Sequence, residues 1–276
     1  MKGLLIYDKV GAERNTWFIN RLTESAKAKC CDLELVVIDS DFNTEALYSL
    51  DPKPDFVIVR TISPNLSLAI ESLGIPTFNN HMTSNIANDK MKTHNHATML
   101  NIPTMATDSV ANIDMCLPTE YPKVIKSVDG HGGSEVFWVE NAEECKYILS
   151  LYPNKSFIVQ DLSSEPGVDM RVYVLGGKVL AAVKRTSKSD FRSNFSLGGK
   201  AELVPLPNVV YHTVNVLVDS LGADFVGIDF IRHNGEWILN EIEDVVGTRM
   251  LYSLTDIDAA DLYIDHIITK VKNLKK

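Results

Sequence analysis

Three carboxylates lie in two neighbouring stretches of sequence that otherwise have the apolar composition of a buried β-hairpin. The stretches are Val226–Arg232 and Trp237–Glu243, and a His-Asn-Gly-Glu turn separates them. Asp229 lies in the first stretch, while Glu241 and Glu243 lie in the second. Burying unpaired like charges among large apolar side chains is strongly unfavourable. A buried hairpin of this composition therefore requires another group that neutralises the carboxylates.

The carboxylates are predicted to share one face of the hairpin. Side chains alternate between faces along a strand, so Glu241 and Glu243 point the same way. A turn centred on Gly235 places Asp229 opposite Glu241. A divalent cation would neutralise this patch, and oxygen-only ligands suit Mg²⁺ or Mn²⁺. The alternative is an exposed face that carries acids by chance, and a register slip of one residue would break the facing pair.

The overall composition excludes one class of partner. The 276 residues carry 27 basic and 36 acidic side chains, which gives a net charge of −9, and 45% of the residues are hydrophobic. A globular chain of this length forms one large domain or two to three lobes. Because nucleic acid is held mainly through lysine and arginine contacts to phosphate, no nucleic acid partner is expected.

No membrane partner is expected either. The sequence has no run of about 18 apolar residues, and its short N-terminal apolar run ends in a charge, unlike a signal peptide. The four cysteines form no C-x-x-C pair. This usage favours a reduced, cytoplasmic protein.

The first 80 residues alternate between strand and helix patterns, which predicts a small parallel α/β lobe. Its first turn holds only Gly11, whereas a dinucleotide-binding fingerprint needs three glycines, so no Rossmann cofactor site is predicted there. Later segments add hairpins, and the helix predicted over 208–221 has Asn208 as its N-cap and Gly222 as its C-cap. Together these patterns predict a mixed α/β (α+β) fold.

A glycine-rich loop follows the strand that carries Lys126. Gly130, Gly132 and Gly133 would let backbone N–H groups approach phosphate oxygens, and Lys126 would add positive charge. No G-K-[ST] follows, so this is not a Walker loop. The alternative is a glycine-rich hairpin turn without a ligand. His131, within the loop, is a further candidate for contact with phosphate or substrate.

A second polar loop extends over residues 190–199. Arg192 would stabilise phosphoryl charge, and Ser193 and Asn194 would donate hydrogen bonds to phosphate oxygens. An ordinary surface loop is the alternative for this segment taken alone.

The order of these features resembles the ATP-grasp enzymes, and most closely the RimK-type carboxylate–amine (glutamate) ligases. The resemblance covers roughly residues 85–250 and is carried by Asp89-Lys90, Lys126, Gln160-Asp161-Leu162, Asp169-Met170-Arg171, Arg192-Ser193-Asn194, Asp229 and Glu241-x-Glu243. It implies a pre-ATP-grasp α/β domain over 1–84, a small ATP-grasp lobe over 85–155, and a large lobe with the metal site over 156–276.

The resemblance also implies a role for each matching residue. Lys90 and Lys126 would hold the ATP phosphates, residues 160–162 would form the hinge that meets adenine, and Asp169 would lie near the sugar. The transferring phosphate would meet the second polar loop, and the acyl phosphate would meet Arg171. The magnesium ions would be held by Asp229, Glu241 and Glu243.

The implied reaction joins a small-molecule or peptide carboxylate to an amine or amino acid through an acyl phosphate, with release of ADP and phosphate. The implied cofactors are ATP and Mg²⁺ or Mn²⁺, and a homodimer or homotetramer is expected. Two alternatives remain open. An ATP-grasp kinase would transfer the γ-phosphate to a hydroxyl, and a non-catalytic module would bind nucleotide only.

Two positions depart from the family pattern. The family usually has asparagine at the position of Glu243, so this site carries one more negative charge. The family often has a Pro-Gly turn next, whereas residues 245–249 keep only the glycine. Arg249 is a candidate to bind a substrate carboxylate, with an ordinary surface arginine as the alternative.

Overall fold

The computed structural model of the protein describes residues 1–39, 52–110, 118–133, 135–187 and 200–276. Helices accompany three β-sheets, one parallel and two antiparallel, in this part of the chain. This arrangement confirms the mixed α/β fold class. None of the helices described is long and apolar enough to cross a bilayer.

The first lobe is built from β1 (Lys2–Asp8), α1 (Lys9–Arg14), α2 (Thr16–Ala28), β2 (Asp32–Ile38), β3 (Phe56–Val59), α3 (Pro64–Ser72), β4 (Thr77–Phe78) and α4 (His81–Ala87). Its parallel sheet has the strand order β2-β1-β3-β4. β1 is buried and without charge from Gly3 to Tyr7 because helices cover both faces of the sheet. Leu5 and Tyr7 face the core that includes α2, while Leu4 and Ile6 face α3.

The small sheet follows, with the elements α5 (Lys90–Met99), β5 (Thr107–Val110), β6 (Lys123–Ser127), β7 (Val136–Val139), α6 (Ala142–Leu151) and β8 (Phe157–Asp161). The strand order is β5-β8-β6-β7, and all pairs are antiparallel. Cys145 and Leu149 of α6 pack on one face of this sheet and form a separate core with it. Because β8 pairs with β5 and β6, the small sheet extends beyond residue 155 to Asp161.

The large sheet contains the remaining strands, and its elements are β9 (Val168–Leu175), β10 (Lys178–Thr186), β11 (Lys200–Leu203), α7 (Asn208–Leu221), β12 (Phe225–His233), β13 (Glu236–Glu243), α8 (Arg249–Leu254) and α9 (Ala259–Leu274). The strand order is β11-β10-β9-β12-β13, again antiparallel. α7 packs on one face with Val214 and Leu217, and Ala97 of α5 joins the same core.

The other face of the large sheet shares its core with the first lobe. Tyr173 and Phe225 of the sheet, Tyr263 of α9, and Phe18 and Leu22 of α2 belong to one buried cluster. The first lobe and the large sheet therefore stabilise each other through a common hydrophobic core.

The ends of α7 differ partly from the sequence prediction. Gly222 is the C-cap in the left-handed conformation, with φ of 60°, as predicted. The predicted N-cap was wrong, because Pro207 occupies that position and Asn208 is already helical. Proline's fixed φ suits the entry to a helix, but it brings no side-chain acceptor for the first N–H groups.

Candidate active site

A cleft between the small sheet and the large sheet brings together most of the site residues predicted from the sequence. The residues that line it include Lys90, Lys126, Gly130, Gly132, Gly133, Gln160, Asp161, Leu162, Asp169, Glu241 and Glu243. Arg192, Ser193 and Asn194 lie outside the described residues. His131 does not line the cleft.

The β12–β13 hairpin carries the predicted carboxylates, and Asp229 pairs directly with Glu241, as predicted. The route to this pairing differs from the prediction. The turn is the two-residue Asn234–Gly235 turn, and both residues have positive φ, 50° and 80°, which suits a type I′ turn.

A β-bulge in β13 corrects the register. Phe230 pairs with Leu239 and Asp229 with Glu241, so Asn240 is an extra residue with no partner of its own on β12. Without the bulge, strict alternation after the core residue Leu239 would turn Glu241 toward the core. The bulge therefore brings Asn240 and Glu241 to the cleft together.

The three carboxylates form one cluster. Each of Asp229, Glu241 and Glu243 offers an oxygen within 4.8 Å of those of the other two. Asp229 is fully buried and lies behind the cleft surface, while Glu241 and Glu243 line the cleft. An oxygen-only donor set of this kind fits Mg²⁺ or Mn²⁺.

Two buried arginines neutralise part of this charge. Arg171 donates from Nε and Nη2 to the two oxygens of Asp229, at 2.7 and 2.6 Å, and from Nη2 to Glu243 at 2.6 Å. Arg185 donates to both oxygens of Asp169, at 2.5 and 2.6 Å, and to Asp229 at 2.7 Å. Three carboxylates thus contact two guanidinium groups, Glu241 adds a fourth carboxylate to the cluster, and the excess negative charge suits a cation in the cleft.

The arginines set the protonation of Asp229. Burial alone would raise the pKa of Asp229, but the neighbouring charges of Arg171 and Arg185 outweigh burial and lower the pKa to about 2. Burial raises the pKa of Glu243 from its ordinary value, and Arg171 opposes that shift. Asp229 is therefore ionised at any pH near neutrality.

The opposite wall of the cleft is positively charged. Lys126 Nζ donates to Asn240 Oδ1 at 2.8 Å, and Lys90 Nζ donates to the carbonyl of Gly130. Burial, together with the charge of Lys90, lowers the pKa of Lys126 to about 8, although Glu241 opposes the shift. Gly132 has φ of 67°, so the loop beside these lysines needs a residue without a side chain there.

The end of the cleft where the resemblance would place adenine and sugar has its own polar contacts. Gln160 Nε2 donates to Thr107 Oγ1 at 2.8 Å, and Asp161 pairs with Lys123. Asp169 lines the cleft with its carboxylate held by Arg185.

The segment that follows β13 is held by the first lobe and by β9. Arg60 Nη2 donates to the carbonyl of Val246 at 2.8 Å, and the Tyr173 hydroxyl donates to the carbonyl of Gly247 at 3.1 Å. Arg249 is exposed at the start of α8. Arg171, which the resemblance placed beside the acyl phosphate, is buried behind Glu243.

Sequence reasoning missed two residues of this site, Arg185 and Asn240. Asn240 had a signal, because the core residues Leu239 and Ile242 are three positions apart, and this breaks the two-residue period of a regular strand. Arg185 had none, since a single arginine near a strand end is usual at the surface.

Comparisons with known proteins agree with this architecture. The model of the RimK-like ATP-grasp domain matches residues 84–267. The uncharacterized protein MG011 homolog of Mycoplasma pneumoniae is 27% identical over 98% of this chain and 91% of its own length. The alpha-aminoadipate–LysW ligase LysX of Saccharolobus solfataricus is 25% identical over 77% of this chain and 80% of its own.

A solved structure extends the agreement to the fold. The RimK domain protein of Sphaerobacter thermophilus, an ATP-grasp structure, superposes with a TM-score of 0.75 at 17% sequence identity. The superposition covers 97% of this chain and 100% of that one. The arrangement of the lobes is therefore that of ATP-grasp structures.

Proposed function

This chain belongs to the RimK-like ATP-grasp family and is an ATP-dependent carbon–nitrogen ligase, and we propose that it joins a carboxylate to an amine through an acyl phosphate. The relative LysX is named as a ligase of alpha-aminoadipate and LysW, which supports a small molecule or a peptide as the carboxylate substrate and an amine or amino acid as the second substrate.

One observation carries the proposal. The cleft has lysines and a glycine loop on the wall of the small sheet, and carboxylates on the wall of the large sheet. Lys90 and Lys126 would bind phosphate oxygens directly. The phosphates would reach Glu241 and Glu243 on the opposite wall only through a cation, because carboxylate and phosphate repel each other. A triphosphate with a bound cation meets both requirements.

Asp229, Glu241 and Glu243 would hold Mg²⁺, and the ion would neutralise charge on the phosphates. Two of these carboxylates reach the cleft, and the third lies behind them. Arg171 and Arg185 hold Asp229 with both of its oxygens oriented. The arginines therefore fix the carboxylate cluster before a ligand arrives, and this preorganisation lowers the cost of binding.

The proposed reaction has two steps. An oxygen of the substrate carboxylate attacks the γ-phosphorus, the bond from that phosphorus to the β–γ bridging oxygen breaks, and ADP leaves. The amine nitrogen then attacks the acyl carbon, the carbon–oxygen bond to phosphate breaks, and the nitrogen loses a proton. No side chain of the protein forms a covalent bond in either step, so positioning and charge neutralisation supply the catalysis.

ADP release tests this proposal. The purified protein is given ATP, Mg²⁺ and pools of carboxylates and amines, together and separately, and ADP is measured. We expect ADP and phosphate to appear in equal amounts only when both pools are present. Release with a polyol alone, accompanied by a phosphorylated product, would instead identify a kinase.

A variant links the activity to the carboxylate cluster. Glu241→Gln keeps the shape of the side chain and removes its charge, so we expect turnover to fall by at least about a hundredfold. Glu236→Gln, at the exposed end of the same strand, is the matched control and should leave turnover unchanged. Turnover near that of the wild type in Glu241→Gln would exclude the cluster as the metal site.

A further inference from the structure

We propose that Asn240 is a positioning residue for Lys126 and holds its ammonium group at the point in the cleft where a nucleotide phosphate binds. This inference rests on the proposed function, because it requires a nucleotide in the cleft. Asn240 belongs neither to the motifs found in the sequence nor to the carboxylate cluster.

The β-bulge is the first observation that carries this proposal. Leu239 and Ile242 both pack in the core of the large sheet, and a regular strand cannot place two core residues three positions apart. The extra residue is Asn240, whose side chain lines the cleft. Bulges commonly re-aim a side chain beside an active site. Here the bulge places an amide in the cleft without displacing Glu241 from Asp229.

The contact of Asn240 is the second observation. Its Oδ1 accepts a hydrogen bond of 2.8 Å from Lys126 Nζ. Lys126 belongs to β6 of the small sheet and Asn240 to β13 of the large sheet, so the bond crosses the cleft. It therefore fixes the ammonium group relative to Glu241, the next residue after Asn240.

The charge of the acceptor is the third observation. Within the described ranges, no carboxylate lies within 4.0 Å of Lys126 Nζ. A neutral amide oxygen orients the ammonium group and leaves its full charge for an incoming phosphate. A carboxylate at this position would form an ion pair, and phosphate would have to displace it. Asparagine is thus the side chain that positions the lysine without neutralising it.

A double-mutant cycle tests the proposal on ADP binding, measured by calorimetry with Mg²⁺ and again in EDTA. We expect Asn240→Ala to weaken ADP binding by about threefold to tenfold, and Lys126→Met by at least about tenfold. The double variant should bind ADP as Lys126→Met does, because Asn240 acts through Lys126. Losses that multiply in the double variant would overturn the proposal.

Two further variants separate positioning from a general effect of charge. Asn240→Asp should weaken ADP binding more than Asn240→Ala, whereas Asn234→Asp adds the same charge at the exposed turn of the same hairpin and should change nothing. Binding of adenosine, which has no phosphate, should be equal in the wild type, Asn240→Ala and Asn240→Asp. Unequal adenosine binding would mean that Asn240 merely supports the shape of the cleft, and would overturn the proposal.

The outcomes also separate this proposal from the one on which it rests. If the wild-type protein binds no ADP, the proposed function is wrong. If the wild type binds ADP and Asn240→Ala, folded by its circular dichroism and unfolding temperature, binds it equally well, only the positioning role is wrong. Asn240→Ser is the second variant if Asn240→Ala does not fold, since serine keeps an oxygen at the bulge.

Discussion

Asp229 shows how a single residue constrains its surroundings. It is fully buried, and both of its oxygens accept hydrogen bonds from guanidinium groups. A buried ion pair adds little net stability, but removing one partner leaves an uncompensated charge, which is strongly destabilising. The sequence predicted the carboxylate and a cation near it. It did not predict that two arginines of the protein already supply part of the compensation.

Substituting Arg185 tests this dependence. Arg185→Met leaves Asp169 and Asp229 with fewer partners in the interior, so we expect the free energy of unfolding to fall by about 3 kcal/mol or more. The free energy of unfolding of Arg185→Lys should lie between those of the wild type and Arg185→Met, because an ammonium group cannot make the bidentate contact. Urea unfolding followed by circular dichroism measures both.

The matched control for Arg185 is Arg232→Met. Arg232 pairs with Glu165 in a partly exposed ion pair, at 3.4 Å, so its loss should cost less than about 1 kcal/mol. Equal losses for the two arginines would contradict the view that burial makes Arg185 important.

Lys126 gives a prediction in pH. Burial lowers its pKa to about 8, so the amine is charged below that pH and becomes neutral above it. At pH 8 roughly half of these amines would be neutral, against less than about 1% for an ordinary lysine. We expect Lys126 to react with an acylating reagent much faster than exposed Lys146 at pH 8, and MgADP to protect it. Mass spectrometry across pH 6–10 measures both rates, and coincident profiles would contradict the shift.

At the scale of the element, the β12–β13 hairpin shows what a sequence pattern can and cannot specify. The turn residues Asn234 and Gly235 and the apolar strands predicted the hairpin, and the facing of Asp229 and Glu241 is confirmed. The assumed turn centre was wrong by half a residue, and the bulge at Asn240 compensated for it. A regular alternation of polar and apolar residues cannot reveal a bulge. The face of a side chain that follows a bulge is therefore predictable only where two core residues lie three positions apart in the sequence.

Deleting Asn240 tests this account of the hairpin. Without the extra residue, a regular ladder from the Asn234–Gly235 turn still places Glu241 opposite Asp229 and keeps Ile242 in the core. We expect the deletion variant to fold and to bind Mn²⁺ with near-normal affinity, but to bind ADP as weakly as Lys126→Met does. Electron paramagnetic resonance of Mn²⁺ and calorimetry of ADP measure the two properties.

Deleting Ile238 instead serves as the control for that experiment. It also removes one residue between the turn and Glu241, so a regular ladder again places Glu241 opposite Asp229, but Leu239 leaves the core and Asn240 takes its place opposite Phe230. We expect this variant to unfold at a much lower urea concentration than the Asn240 deletion, because an amide replaces leucine in the core. Equal stability of the two deletion variants would contradict the assignment of Asn240 as the extra residue of the bulge.

At the scale of the whole molecule, the first lobe joins the large sheet through a polar contact as well as through the common core. The buried side chain of Asn79 donates to the carbonyls of Phe225 and Asp244 and to the Asp244 carboxylate, and its oxygen accepts from the N–H groups of Asp224 and Phe225. The parallel first lobe was predictable from its alternation of strands and helices. This junction was not, because it joins residues more than 140 positions apart.

Asn79→Ala tests the junction. The change leaves buried N–H groups and a carboxylate without their partner, so we expect a loss of about 2–4 kcal/mol in the free energy of unfolding. Asn273→Ala, on the exposed C-terminal turn of α9, should cost less than about 0.5 kcal/mol. Thermal unfolding by calorimetry measures both, and a neutral Asn79→Ala would contradict the role of the junction.

The common core of the first lobe and the large sheet also bears on the order of events during turnover. Two of the three units share one interior, whereas the small sheet and α6 pack around an interior of their own. Motion between units is easiest where no core is shared, so we expect the small sheet and α6 to move as one body relative to the other two units. ADP would then leave when the small sheet moves away from the cleft, while the first lobe and the large sheet keep their shape from one catalytic cycle to the next.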